Sequence, residues 1–170
     1  MARTKKVGDL QINEDMEFQR RSWIVQRVGW LVFALVILLA ALGLFGDGLL
    51  SNAQAGQKEG ELWLEYQRFE RFQHEFRIKV YANENTAANG EIMIQLDRHY
   101  LENVEVISVA PAPDSEIKDT DWITYVFKTN GGGSPFTAYF YVAPQKAGPL
   151  SGTFRLQNGD PVGFSQFIYP

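Results

Sequence analysis

Hydrophobic and polar positions follow two patterns along the chain, and each predicts a different element. The first is one apolar run. From Val28 to Gly46, 19 consecutive residues, VGWLVFALVILLAALGLFG, carry no charge. A helix of that length spans nearly 30 Å at about 1.5 Å per residue, the thickness of a hydrocarbon core. Backbone groups in lipid must pair within their own segment, so a single transmembrane helix is expected. The second pattern is alternation. Ile92, Ile94 and Leu96 alternate with polar residues in GEIMIQLD, and Val104, Val106 and Ser108 alternate in the next run, with Ile107 and Val109 on the other face. WITYVFK (122–128) and FTAYFYV (136–142) are rich in β-branched and aromatic residues, and 153–157 and 162–168 read as closing strands. Turn chemistry separates them at Ala88-Asn89-Gly90, Pro111-Ala112-Pro113-Asp114, Asn130 to Gly133, Gly148-Pro149 and Asn158 to Pro161. Short strands at this spacing predict a mainly β domain, an Ig-like or Greek-key β-sandwich.

Residues 61–80 fit two periods. Leu62, Leu64 and Tyr66 alternate, as do Phe72, Phe76, Ile78 and Val80, but Arg68 and Glu70 then share the apolar face. Leu62, Tyr66, Phe69 and Phe76 also fit helical spacing. Two extended segments with a kink or bulge near Phe69 are the preferred reading. A short helix leading into a strand is the alternative.

The chain therefore divides into a polar tail over 1–19, loosely ordered or ordered by a partner, a transmembrane helix with a basic inner collar over 20–46, a Gly-, Ala- and polar-rich linker over 47–60, and a β domain over 61–170. Gly46 and Gly48 suit the helix stop. Five of the 23 aromatic residues precede residue 61, which leaves 18 to fill the domain core. Positive charge sets the expected orientation. Arg3, Lys5, Lys6, Arg20, Arg21 and Arg27 precede the span, and only Lys58 lies in the dozen or so residues after it. That asymmetry places the amino terminus in the cytoplasm and the β domain outside. A cleaved signal peptide is the rival, with Ala53-Gln54-Ala55 as a small-residue cleavage site. Its apolar core would exceed the usual 7–15 residues, and the preceding segment contains Asp9, Glu14, Asp15 and Glu17. An uncleaved anchor is expected.

Composition narrows the function classes. Hydrophobic residues make up 45% of the chain and charged residues 21%, which excludes wholesale disorder. With no Cys there is no disulfide, thiolate metal site or thiol nucleophile. A net charge of −4 argues against a nucleic-acid partner, which needs a basic face. The only histidines, His74 and His99, are 25 residues apart, so no His/Met metal set at close spacing arises and each is expected as a packed or edge residue. Asp114, Glu116, Asp119 and Asp121 form an acidic stretch without EF-hand spacing, expected as a solvated loop. Gly131-Gly132-Gly133-Ser134 lacks the Lys and the helix of a phosphate loop and reads as a hairpin tip. Glu65 and Glu70 form a nameable carboxylate pair that nothing in their context singles out as acid and base. No catalytic residue, cofactor or metal is assigned, and no enzyme activity is expected.

Two features suit contacts between proteins. Ala34, Ala41 and Gly48 lie seven apart, with Ala40 and Gly43 nearby, a small-residue stripe on which another helix can pack closely. Tyr66, Arg68, Phe69, Arg71, Phe72 and Arg77 concentrate arginine and aromatic residues, as protein interfaces do. At the inner boundary Trp23 and Trp30 suit the headgroup layer, and Arg20, Arg21 and Arg27 reach lipid phosphates.

RRSWIVQRVGW, ALGLFGDGLLS, EYQRFERFQ and the terminal FSQFIYP together resemble bacterial single-pass membrane proteins with a short cytoplasmic tail and an extracytoplasmic β domain. The resemblance covers most of the chain, implies the bacterial inner membrane with the β domain in the periplasm, and brings no activity or catalytic residue. In domain order the chain is also similar to accessory subunits of respiratory or photosynthetic complexes. The expected function is a non-catalytic accessory or scaffold subunit of a larger bacterial integral-membrane complex of respiratory, photosynthetic or transport type. Its partners would be integral-membrane proteins and the bilayer. A 14-residue linker, if flexible, spans on the order of 20 Å and keeps the domain near the membrane. The alternative is a periplasmic binding or sensing module for a small molecule, glycan or envelope component, with Tyr139, Tyr141, Tyr125 and Trp122 lining an aromatic pocket.

Overall fold

The computed structural model describes residues 3–7, 10–14, 16–41, 51–87, 89–129 and 135–170. They fall into two compact units, residues 1–41 and 42–170.

In the first unit β1 (Arg3–Val7) and β2 (Leu10–Glu14) pair antiparallel, and α1 (Met16–Ala41) follows. Both strands lie within the stretch 1–19 expected as a polar tail. The helix starts four residues before the expected collar, with Glu17 in its first turn, where a carboxylate suits the positive end of the helix dipole. It is long and apolar enough to cross a membrane, and none of its apolar window is buried within the protein. Residues 42–46 of the expected span lie outside the described residues.

The second unit contains β3 (Asn52–Gly56), β4 (Leu62–Gln67), β5 (Phe69–Arg71), β6 (Phe76–Ala82), β7 (Glu91–Asp97), the short helix α2 (Arg98–Leu101), β8 (Val104–Ala110), β9 (Ser115–Lys118), β10 (Trp122–Lys128), β11 (Phe136–Pro144), β12 (Gly148–Leu156) and β13 (Val162–Tyr169). One sheet runs β3-β4-β6-β11-β8 and the other β5-β13-β12-β7-β10-β9. The pairings within them are antiparallel except β13 with β5. Alternation does what the sequence predicts in β7, where Ile92, Ile94 and Leu96 point inward and are buried. The inner faces meet through aromatic pairs that join the sheets: Tyr125 with Phe140 at 5.1 Å, Phe140 with Phe154 at 5.1 Å, and Tyr66 with Phe164 at 5.3 Å. Centroid distances of this size are those of favourable edge-on and tilted rings.

Residues 61–80 form three strands, β4, β5 and the start of β6, rather than two extended segments; the kink near Phe69 is a change of sheet, and a turn at Phe72–Gln73, with Gln73 at φ +57°, separates β5 from β6. β4 belongs to the five-stranded layer, Arg68 makes the crossing, and β5 joins the six-stranded layer beside β13. This places Glu70 inward against the core while Phe69 and Arg71 point outward, which explains why one continuous alternation failed. The expected linker 47–60 contributes β3, an edge strand in register with β4 over five residue pairs. Its small residues serve close packing: Ala53 is buried, and a Cβ on Gly56, at φ +81°, would come within 2.6 Å of the Leu62 carbonyl oxygen. In β8 the pairing steps from Tyr141 opposite Ser108 to Val142 opposite Val106, leaving Ile107 as the extra residue of a bulge, 49% exposed.

Gly152 on β12 is closely approached by aromatic rings of the interior. A Cβ there would stand 2.7 Å from the Tyr100 ring and 2.9 Å from Phe164. Gly152→Ala is expected to destabilise the domain by about 1–3 kcal/mol through overpacking. A thermal melt followed by near-UV circular dichroism checks this, and an unchanged midpoint contradicts it.

Candidate functional site

The change of sheet at Arg68 opens a groove. β4 and β6 pair only from Leu62 opposite Ala82 to Glu65 opposite Lys79, after which β4 leaves toward the other layer. The space beside their splayed ends is a concavity of about 910 Å³ whose lining includes Gln67, Glu70, Arg71, His74, Arg77 and Tyr141. Backbone bonds fix its rim: the Arg68 N–H donates to the Ser51 carbonyl at 2.6 Å, Phe72 to that of Tyr169 at 2.8 Å, and Gln73 to that of Pro144 at 3.1 Å.

Three carboxylates line it, Glu65, Glu70 and the exposed Glu75, and the first two differ in surroundings. Glu65 lies on the outer face, 3.6 Å from the Lys79 ammonium, and accepts hydrogen bonds from the Tyr81 hydroxyl at 2.9 Å and Gln54 at 3.2 Å. Burial, then the hydrogen bond and charge of Glu65, hold the Tyr81 hydroxyl above its ordinary pKa. Glu70 is 5% exposed, at the groove's inner margin. Deeper, the Tyr100 hydroxyl donates to Gln166 Oε1 at 2.9 Å, and Gln166 Nε2 donates to the Gln67 carbonyl at 2.8 Å. Burial, with the Glu70 charge adding to it, pushes the Tyr100 hydroxyl up, so it remains a proton donor. This buried chain fixes β13 against the departing end of β4. The sequence signal for it was Gln166, a polar residue at an inward position between Phe164 and Ile168.

Of the expected arginine–aromatic cluster, Tyr66, Arg71 and Arg77 line this groove, whereas Arg68, Phe69 and Phe72 are not among its lining residues. Tyr66 packs its ring on Phe164 and belongs to the core margin. Phe69 is half-buried on β5. Arg68, Arg71 and Arg77 are exposed, as is Phe72 at 36%. Arg77 also lies over the Tyr139 ring at 5.6 Å. The expected aromatic pocket does not assemble. Tyr125 is core, and burial followed by the nearby Glu116 charge pushes its hydroxyl up to about 12. Tyr139 and Tyr141 lie on the outer face of β11, and Trp122 lies on the outer face of the other sheet, where the Arg155 guanidinium stacks at 3.9 Å.

The remaining candidates lie elsewhere. His74 is exposed at the groove, and His99 is exposed on α2 with Nδ1 3.4 Å from Glu102. Among the described residues no group of three His, Asp or Glu converges as metal ligands do. The acidic stretch 114–121 is partly strand rather than loop: Ser115–Lys118 form β9, paired with β10. Asp114 accepts the Lys128 N–H at 3.0 Å and lies 3.2 Å from the Lys128 ammonium. Those contacts hold its carboxyl below the usual range, the backbone bond first. Because the lowered pKa belongs to the folded form, the contact is complete above the unfolded pKa of about 3.9 and is lost as pH falls through the lower folded value. The Lys128 amide chemical shift is expected to titrate with a midpoint below about 3.9. A midpoint at or above that value contradicts the contact. Gly131 to Ser134 lie outside the described residues.

On α1, Arg20, Trp23, Arg27 and Trp30 follow one stripe, and the Arg27 guanidinium sits 3.7 Å from the Trp23 ring centroid. Arg21 stands about 100° round the helix from Arg20. Ala34 and Ala41, two turns apart, continue the stripe and are exposed, whereas Ala40 is about 100° from Ala41. Gly43 and Gly48 lie outside the described residues. No protein-family model matches the chain, and no curated protein matches it.

Proposed function

We propose that this chain is a non-catalytic, single-pass accessory subunit of a larger bacterial integral-membrane complex, with α1 crossing the inner membrane, the amino terminus inside and the β domain in the periplasm. The observation that supports it is the contrast between the two units. The β domain buries its own apolar faces, including Phe127, Phe140 and Phe154, whereas α1 exposes Leu31, Phe33, Leu35, Ile37 and Leu38. Side chains so apolar require lipid or other helices around them. A lone helix encloses no transport path, so a role in transport, electron transfer or light harvesting runs through partners. The Greek-key, immunoglobulin-like connectivity expected from strand spacing is part of this reading, and the two packed sheets support it.

The docking face on α1 is the Ala34–Ala41 stripe. Replacing both alanines with Phe is expected to weaken co-purification of multi-helix partners while leaving the chain in the membrane fraction. Mild detergent extraction followed by mass spectrometry reads both. Unchanged recovery of partners removes the stripe as the docking face. Recovery of the chain alone in the native protein removes the subunit reading and favours a binding module, for which the polar groove beside Glu70 is the site.

A further inference from the structure

The arginine–phenylalanine corner has a composition at odds with the rest of its domain. Residues 51–170 carry 10 Lys+Arg against 15 Asp+Glu, a net charge of −5. Three of the five arginines there, Arg68, Arg71 and Arg77, fall within ten residues and all are exposed. The fold brings apolar rings to the same place. Phe69 pairs with Phe167 across the β5–β13 register, Arg71 pairs with Tyr169 two steps on, and Phe72 follows in the loop bonded to Tyr169. Phe167 is 49% exposed and Phe72 36%. The acidic groups at this end of the six-stranded sheet, Asp97, Glu102, Asp119 and Asp121, lie toward the opposite edge, with α2 and the β9–β10 connection. Glu75 is the exposed acid among the arginines, and Glu70 is buried.

The Arg68 N–H binds the Ser51 carbonyl, which ties this corner to the first residues of the β domain that the structure describes. Guanidinium groups match phosphate oxygens in bidentate geometry, and phenylalanine settles at the headgroup–acyl boundary. The stripe Arg20, Trp23, Arg27 and Trp30 repeats the same pairing of guanidinium and aromatic ring on α1.

We propose that Arg68, Arg71, Phe72, Arg77 and Phe167 form a lipid-docking corner that seats the β domain on an anionic bilayer surface, the guanidinium groups on lipid phosphates and the rings among the headgroups. The surrounding acidic surface is repelled, so this corner fixes the orientation of the domain. The inference rests on the reading that α1 spans the membrane.

The chain has no cysteine, so a single introduced one reports a single position. Full-length protein carrying a spin label at His74→Cys, Gln157→Cys or Ala34→Cys is placed in nanodiscs of phosphatidylglycerol or of phosphatidylcholine. Collisions with a water-soluble nickel chelate and with oxygen are then measured. In phosphatidylglycerol the label at 74 is expected to be several-fold less accessible to the chelate than the label at 157. That protection is expected to disappear in phosphatidylcholine, in high salt, and in the triple variant Arg68→Glu, Arg71→Glu, Arg77→Glu, whose thermal melt reports that it remains folded. Equal chelate accessibility at 74 and 157 in phosphatidylglycerol overturns the proposal, as does protection that persists in phosphatidylcholine or in the folded triple variant. The label at 34 separates the two readings. Oxygen-rich and chelate-protected, it leaves the spanning helix standing whatever residue 74 shows, whereas an aqueous label at 34 removes the spanning helix itself.

Discussion

Phe154→Ala is expected to cost the β domain about 3–5 kcal/mol, a large part of the 5–15 kcal/mol that folds a typical domain. Phe154 is fully buried on β12 and touches both layers, with Phe140 of the facing sheet at 5.1 Å and Phe164 of its own at 5.7 Å. Removing the ring leaves a cavity that three strands cannot close without losing their register. The expected drop in melting temperature is roughly 10–20 °C, read by near-UV circular dichroism in detergent, where the aromatic signal of the domain is separate from the far-UV signal of α1. A shift below about 3 °C would show that the interior repacks around the loss.

The second large effect concerns α1. Leu35 and Leu38 lie in the middle of its apolar stretch and are exposed. Changing both to Asp is expected to oppose insertion by about 5–7 kcal/mol, at about 2.5–3.5 kcal/mol for each charge near the centre of a span. The doubly substituted chain should then leave membranes on alkaline carbonate washing, whereas the native chain stays with them. Retention of both to the same extent would mean that the helix is held by something other than lipid.

Much of the fold was legible because its determinants are local. The alternation of Ile92, Ile94 and Leu96 and the β-branched run Trp122–Lys128 are properties of single strands, and both appear where expected. The events that shaped the groove are not local. Nothing in EYQRFERFQ says that the chain changes layers at Arg68. That depends on β13 offering a free edge for β5, almost 100 residues later in the sequence. Once the crossing is known, Glu70 as an inward acid and Arg71 as an outward base follow from period two. β3 was hidden for the converse reason. Its alanines and glycine have the composition of a linker, and only β4 alongside gives them something to pack on. Residue type alone brings Tyr125 and Tyr139 together, whereas the register sends Tyr125 to the inner face of its sheet and Tyr139 to the outer face of the other, so no aromatic pocket forms from them.

The margins of the two sheets carry a last consequence. In the anchored arrangement proposed above, copies share one bilayer and meet at high lateral density, where an open strand margin invites ladder formation between neighbours. Each margin here is interrupted. The β8 ladder is broken by the extra residue at Ile107, β9 is four residues long and carries Glu116 and Lys118, β5 is three residues long, and β3 ends at a glycine with positive φ. A crowd of such domains has few uninterrupted templates for cross-β aggregation.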